Sequence, residues 1–171
     1  VLSLAPVLVY PFAKRFTWWP QAFLGVAFNW GAMLAYAAHS GRLEWPAFVA
    51  WLGGIAWTLV YDTIYAHQDI EDDALIGVKS TARLFGENGR RIMAAFAAVA
   101  VALMALAVAL TGARGTAALI AFAGVAVFAL HLGWQLRRFR TGDTRLALRL
   151  FRSNRDAGLL LALFLAAGAM T

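Results

Sequence analysis

The chain has 171 residues, of which 62% are hydrophobic and 14% charged, with a net charge of +6 and a mean hydropathy of +0.68. That apolar share is well above the roughly one half of a soluble domain, so composition excludes an ordinary soluble fold and indicates a membrane protein. The absence of Cys excludes disulfides and thiolate metal sites, and a positive charge collected in loops fits membrane topology rather than nucleic acid as partner.

In chain order, apolar stretches cover residues 1–12, 22–38, 47–66, 92–110, 117–136 and 157–170. Several approach the ~20 residues that cross a bilayer as helix, and the first and last are short. Leu, Ala and Val fill them without strand-like alternation, so the expected class is all-α: one domain forming a polytopic helical bundle rather than a barrel. The sequence opens inside an apolar run with neither Met nor a charged leader, from which an amino-terminal truncation is expected.

The loops carry the charge. Lys14 and Arg15 lie in the first, Lys79, Arg83, Arg90 and Arg91 in the third, and seven Arg from Arg137 to Arg155 in the fifth, whereas the second and fourth hold Arg42 and Arg114 alone. This strict alternation puts the odd loops on the cytoplasmic side of what is expected to be a bacterial inner membrane. Trp18, Trp19, Trp45 and Trp134 fall near helix ends, where amphipathic rings favour the interface. Residues 144–154 place Arg145, Arg149 and Arg152 at helical spacing with Leu146, Leu150 and Phe151, a pattern that suits a helix lying among headgroups or a plain positive-inside anchor.

Five of the nine acidic residues fall between Asp62 and Asp73, and charge beside hydrocarbon is costly enough to mark function. On one continuous helix Asp62, Asp69 and Asp73, spaced by seven and four, would share a face, with Asp72 at its border and Glu71 elsewhere. Clustered carboxylates repel unless a cation neutralises them, and oxygen ligands suit Mg²⁺, which commonly takes one or two carboxylates plus substrate phosphates. A calcium loop of the EF-hand type is excluded because counting from Asp69 puts Ala74 and Ser80 where Gly and Glu are needed. Lys79 and Arg83 follow as cations suited to phosphate oxygens. Acid, metal and base together imply a diphosphate, and at a membrane boundary a lipid-linked one, whose ionisation yields an allylic cation.

Four segments then carry a family resemblance: YPFAKRFTWWPQAFLG over residues 10–25, NWG over 29–31, YDTIYAHQDIEDDALIGVKSTARLFG over 61–86 and FRSNRDAG over 151–158. They resemble the UbiA family of intramembrane prenyltransferases, most closely its 4-hydroxybenzoate polyprenyltransferases of ubiquinone synthesis. The resemblance implies a nine-helix bundle around a central cavity, in which Mg²⁺ joins two aspartate motifs to a polyprenyl diphosphate and an aromatic acid acceptor is alkylated beside its hydroxyl. Asp69 and Asp73 match the outer aspartates of the second motif and are expected to bind metal and diphosphate, supported by Asp62 and Asp72. Lys79 and Arg83 lie in the loop that caps the family's cavity, and Lys14 and Arg15 match its other basic loop, facing the diphosphate or the acceptor carboxylate.

The family's first motif, an Asn-Asp pair with further aspartates at four-residue spacing, does not occur here. The chain is therefore expected to be a carboxyl-terminal portion, roughly helices four to nine, with negligible catalysis unless complemented. His67 could orient an acceptor or carboxylate, though a locally bonded histidine is the plainer expectation; His39 and His131 are expected to be structural. Asn29 and Trp30 are candidates for lining the cavity, Tyr61 and Tyr65 for facing a cation, and Asn154 and Arg155 match without an assigned role. Other acceptors, of menaquinone, haem O or chlorophyll type, and a non-catalytic membrane scaffold or lipid-binding remnant are the alternative readings.

Overall fold

The computed structural model describes residues 4–171. Six long helices form one antiparallel bundle: α1 (Leu4–Phe16), α2 (Pro20–Ser40), α3 (Trp45–Ala66), α6 (Gly89–Leu110), α7 (Gly115–Arg138) and α8 (Thr144–Ala169), with the short helices α4 (Ile70–Leu75) and α5 (Thr81–Phe85) between α3 and α6. The first three residues of the apolar stretch 1–12 lie outside the described residues.

Local chemistry explains the boundaries. Proline stands at the first turn of both α2 and α3, where its missing N–H costs nothing. Helix α2 stops at Gly41, whose φ of +74° is easy only for glycine, and its N–H reaches Ala37 O at 2.9 Å. Ser80 caps α5 by accepting the Arg83 N–H at 3.4 Å, and Asp143 caps α8 by accepting the Leu146 N–H at 2.9 Å.

Helix α3 is the axis of the bundle, packed by α2, α6 and α8. In lipid, helices associate through close packing rather than through exclusion of water, and the Gly53-Gly54 pair provides it. A Cβ on Gly53 would meet Leu103 Cβ of α6 at 3.2 Å, and one on Gly54 would collide with Asn29 of α2. Ile64, Met93, Phe128, Leu132 and Leu150 are fully buried around this crossing.

Three stretches, 45–66, 81–110 and 115–138, are long and apolar enough by themselves to cross a membrane. The described part of α1 has 13 residues, and α8 holds four arginines and Asp156. The odd-numbered loops meet at one end of the bundle, as their charge requires: Lys14 of α1 pairs with Asp73 of α4 at 3.2 Å, and Arg90 of α6 donates to Arg137 O of α7 at 3.0 Å.

Two expectations need correction. The basic segment 144–154 is not a separate surface helix; it is the first half of α8, continuous with the apolar second half. No breaker separates the halves, and the basic half is fastened along α7 by Gln135 Nε2 donating to Leu150 O at 2.8 Å and by His131 Nε2 with Ser153 Oγ at 3.1 Å. Nor is the helix continuous from Asp62 to Asp73. It ends at Ala66, where the N–H groups of His67 and Gln68 bond three residues back to Ile64 O and Tyr65 O, tightening the last turn before the chain leaves α3.

Candidate functional site

Because α3 breaks, its carboxylates part company. Asp62 lies half-buried one turn before the helix end, Asp69 is the exposed residue before α4, Asp72 is exposed on α4, and Asp73 turns inward to 5% exposure. Among the described residues no three His, Cys, Asp or Glu side chains gather closely enough to hold a metal on their own. The single face expected for Asp62, Asp69 and Asp73 is thus not formed. Asp69 and Asp73 do remain one turn apart, joined by the Asp73 N–H to Asp69 O bond of 2.7 Å.

What assembles instead is a knot of cations around α4. Lys14 Nζ donates to both carboxylate oxygens of Asp73, at 3.3 and 3.2 Å. Arg83 donates to the backbone carbonyls of Asp73 and Val78. Lys79 Nζ donates to Phe16 O at 3.3 Å, and its N–H to Lys14 O at 2.8 Å. Lys79 and Arg83 both stand over the Trp18 ring, 5.9 and 5.5 Å from its centroid, a cation–π arrangement at the expected interface. Arg15 is exposed beside them.

This knot is held from beneath by polar groups the sequence reading missed. Gln21 Oε1 accepts the Thr81 N–H at 3.3 Å, an orphan donor at the start of α5. Thr81 and Thr63 share a hydroxyl contact of 2.6 Å, and Gln21, Thr63, Ser80 and Thr81 are all buried. The available signals were Gln21 directly after Pro20 at a helix start, and Ser80 at a helix cap three residues before Arg83.

His67 faces inward. Its Nδ1 lies 2.8 Å from Thr63 O and its ring meets Phe139 edge-on at 4.8 Å. Burial lowers its pKa, while the bond to the Thr63 carbonyl acts in the opposite sense. It packs the loop as a locally bonded histidine. His131 likewise serves α8, and His39 is exposed.

Beside this end of the bundle a cavity of about 870 Å³ opens between α2, α3 and α8, lined among others by Asn29, Trp57, Tyr61, Phe151, Arg152 and Arg155. Asn29 is fixed by donating to Gly25 O at 2.8 Å and Thr58 Oγ1 at 3.0 Å. Trp57 donates to Asn154 Oδ1 at 2.8 Å, and its ring meets Tyr61 edge-on at 5.6 Å. Tyr65 packs on Phe151 at 4.6 Å, and Arg155 pairs with Asp156 at 2.8 Å. Trp30, expected on the same wall, faces Trp51 and a smaller apolar groove between α1 and α2.

The sequence model described as "UbiA prenyltransferase family" matches residues 1–166. The chain belongs to the UbiA prenyltransferase family. It is 45% identical over 158 residues to a 4-hydroxybenzoate polyprenyltransferase, mitochondrial, of Dictyostelium discoideum, covering 92% of this chain and 33% of that protein. With a 4-hydroxybenzoate octaprenyltransferase of Pseudomonas aeruginosa (strain UCBPP-PA14) it shares 39% over 163 residues, 95% of this chain and 53% of that one. The fold superposes with a TM-score of 0.74 and 25% identity on the apo structure of a UbiA homolog from Aeropyrum pernix K1, covering 99% of this chain and 61% of that one. This UbiA-family chain thus spans a third to about half the length of these curated relatives.

Magnesium is the metal that the family resemblance implies, and the donor set fits it in one mode. Two carboxylates one turn apart, the inner one already receiving a cation, match an ion that takes the rest of its oxygens from phosphate and water. Asp69 and Asp73 would hold it, with Asp72 adjacent on α4.

Proposed function

We propose that this chain carries the diphosphate-binding half of a Mg²⁺-dependent polyprenyltransferase that uses 4-hydroxybenzoate as acceptor in ubiquinone synthesis. The observation that carries the reading is the pairing of Asp73 with Lys14 at 3.2 Å, beside Arg83 and Lys79, at the end of an apolar bundle. A carboxylate turret ringed by cations is what a metal–diphosphate headgroup requires, and hydrocarbon-facing helices suit its prenyl tail.

When bound, Mg²⁺ would stabilise the charge gathering on the departing diphosphate. Lys14, Arg15, Lys79 and Arg83 supply donors for phosphate oxygens, with Asp62 beside Lys14 in support. As the carbon–oxygen bond breaks, its electron pair leaves with the diphosphate. The allylic cation is then flanked by the rings of Trp57, Tyr61 and Phe151, whose faces stabilise positive charge. A ring carbon of the acceptor, activated by the neighbouring hydroxyl, forms the new bond and loses its proton. The site would face the side of the Arg-rich loops, the cytoplasm if the membrane is a bacterial inner membrane.

The 171 residues act in this reading as one transmembrane unit. A first aspartate motif, which these residues do not contain, would complete the metal site, so prenyl transfer by this chain alone is expected to be negligible. The test is prenyl transfer by the full protein in lipid: Asp69→Asn and Asp73→Asn should each lower turnover by about a hundredfold or more, as loss of a transition-state charge contact does, with helix content retained. Wild-type turnover in Asp69→Asn and Asp73→Asn would overturn the assignment of these two aspartates and leave the Lys14–Asp73 pair as a structural bridge of the bundle.

A further inference from the structure

Asp73 is 5% exposed, and a buried carboxylate left without a partner is strongly unfavourable. The side chain that neutralises it is Lys14, bonded to both oxygens at 3.3 and 3.2 Å. Of the other cations nearby, Arg83 is directed to the carbonyls of Asp73 and Val78 and Lys79 to that of Phe16, while Arg15 is exposed. A dication that ligates Asp73 therefore meets the Lys14 ammonium on the same two oxygens, and the like charges repel.

The two ends of Lys14 differ in freedom. Its carbonyl is tied to the Lys79 N–H at 2.8 Å, and Ala13 before it is fully buried, so the root is fixed. Its side chain is 39% exposed, on a stem of four flexible carbons, so the tip can swing. Released beside a dication, the ammonium is repelled and needs an anion. The oxygens of a diphosphate provide one within the reach of that stem, and the loop holding Lys79 and Arg83 closes the same place from the other side.

We propose that Lys14 is a positioning residue that occupies Asp73 as a resident cation and yields it to a metal only when a diphosphate arrives to receive the ammonium. Metal and diphosphate then load together, and each tightens the other by the same factor, as linkage requires. The inference rests on the assignment of Asp73 to metal and diphosphate made above. The resident charge keeps this half-site closed to metal alone.

The test is Mn²⁺ binding, read by the EPR signal of the free ion, to the full protein in lipid nanodiscs with and without inorganic pyrophosphate, corrected for the Mn²⁺–pyrophosphate complex in solution. In wild type, pyrophosphate should tighten Mn²⁺ by about tenfold or more, within the usual span of coupling between sites. Lys14→Met should bind Mn²⁺ alone about tenfold more tightly than wild type and lose most of that coupling, while Lys14→Arg keeps the wild-type pattern. Equal Mn²⁺ affinity in wild type and Lys14→Met, with coupling unchanged, overturns the proposal and makes the pair a static bridge. Wild-type binding that ignores pyrophosphate overturns it too, whether or not the variant folds. Asp73→Asn separates the two levels: if it leaves Mn²⁺ affinity untouched, the metal assignment itself fails, whereas if it weakens Mn²⁺ and Lys14→Met has no effect, only the role of Lys14 fails.

Discussion

Replacing Thr81 by valine removes a hydroxyl and almost no volume, which makes it a clean probe of the bond that joins α5 to α3. Thr63 Oγ1 and Thr81 Oγ1 lie 2.6 Å apart, both on residues with 0% exposure. A buried polar group stripped of its partner costs about 1–3 kcal/mol. The lower half of that range applies, because Thr63 is helical and its hydroxyl can turn back to the carbonyl one turn earlier, as Thr58 does to Gly54 O at 2.9 Å. Thr81→Val and Thr63→Val are each expected to cost about 1–2 kcal/mol, and the double variant no more than either single, since removing both partners leaves nothing unsatisfied. The assay is a double-mutant cycle on reversible unfolding in mixed micelles, with coupling of about 1 kcal/mol expected. Additivity of the two costs within about 0.3–0.5 kcal/mol would refute the reasoning, because two hydroxyls that bond each other cannot be removed independently.

Three further outcomes follow from the packing and the loop chemistry. Gly54→Ala puts a methyl into Asn29 and breaks its bonds to Gly25 O and Thr58 Oγ1. The loss should be about 1–3 kcal/mol from overpacking, and Asn29→Ala in the same chain should recover part of it in thermal melts. Trp57→Phe keeps a ring against Phe128 and Tyr61 but removes the N–H to Asn154 Oδ1; a drop of about 1 kcal/mol is expected, readable by the same unfolding assay. His67 has a pKa lowered by burial, so the unfolded chain binds a proton that the folded one resists. Stability from this group is full above the unfolded value of 6.5 and is lost as pH falls from there through the lowered folded value. Melting temperature should decline across that window in wild type and less steeply in His67→Phe.

The helix count and the meeting of the basic loops at one end of the bundle were legible because they rest on sums over many residues: six apolar runs, and Lys and Arg gathered in alternate loops. The family was legible because its motifs are contiguous in the chain. The geometry of the carboxylates was not, since spacing of seven and four predicts one face only if the helix runs on, and the turn at His67 and Gln68 depends on where α3 leaves its neighbours. Arg145, Arg149 and Arg152 suited either a headgroup helix or a plain positive-inside anchor, and nothing local revealed that Asn154 bonds inward to Trp57, a partner far away in sequence. Gln21 and Thr81 escaped for the same reason: a place at a helix start was legible for each, but the partner each meets there after folding was not.

Helix α8 is one unbroken rod of 26 residues, roughly 39 Å long at the usual rise, against a hydrocarbon core of ~30 Å. The arginine-bearing half, Arg145 to Arg155, takes up roughly 16 Å of the rod and the apolar half, 157–169, roughly 20 Å, so the apolar half is shorter than that core and the arginines, which seek headgroups, set the depth of the rod. A change in bilayer thickness shifts that depth, and because Trp57 and Asn154 couple α8 to α3 at 2.8 Å, the shift is passed to the wall of the cavity. Lipid thickness is thus expected to alter the space beside Tyr61, and prenyl transfer by the full protein in lipids of graded chain length should then pass through an optimum.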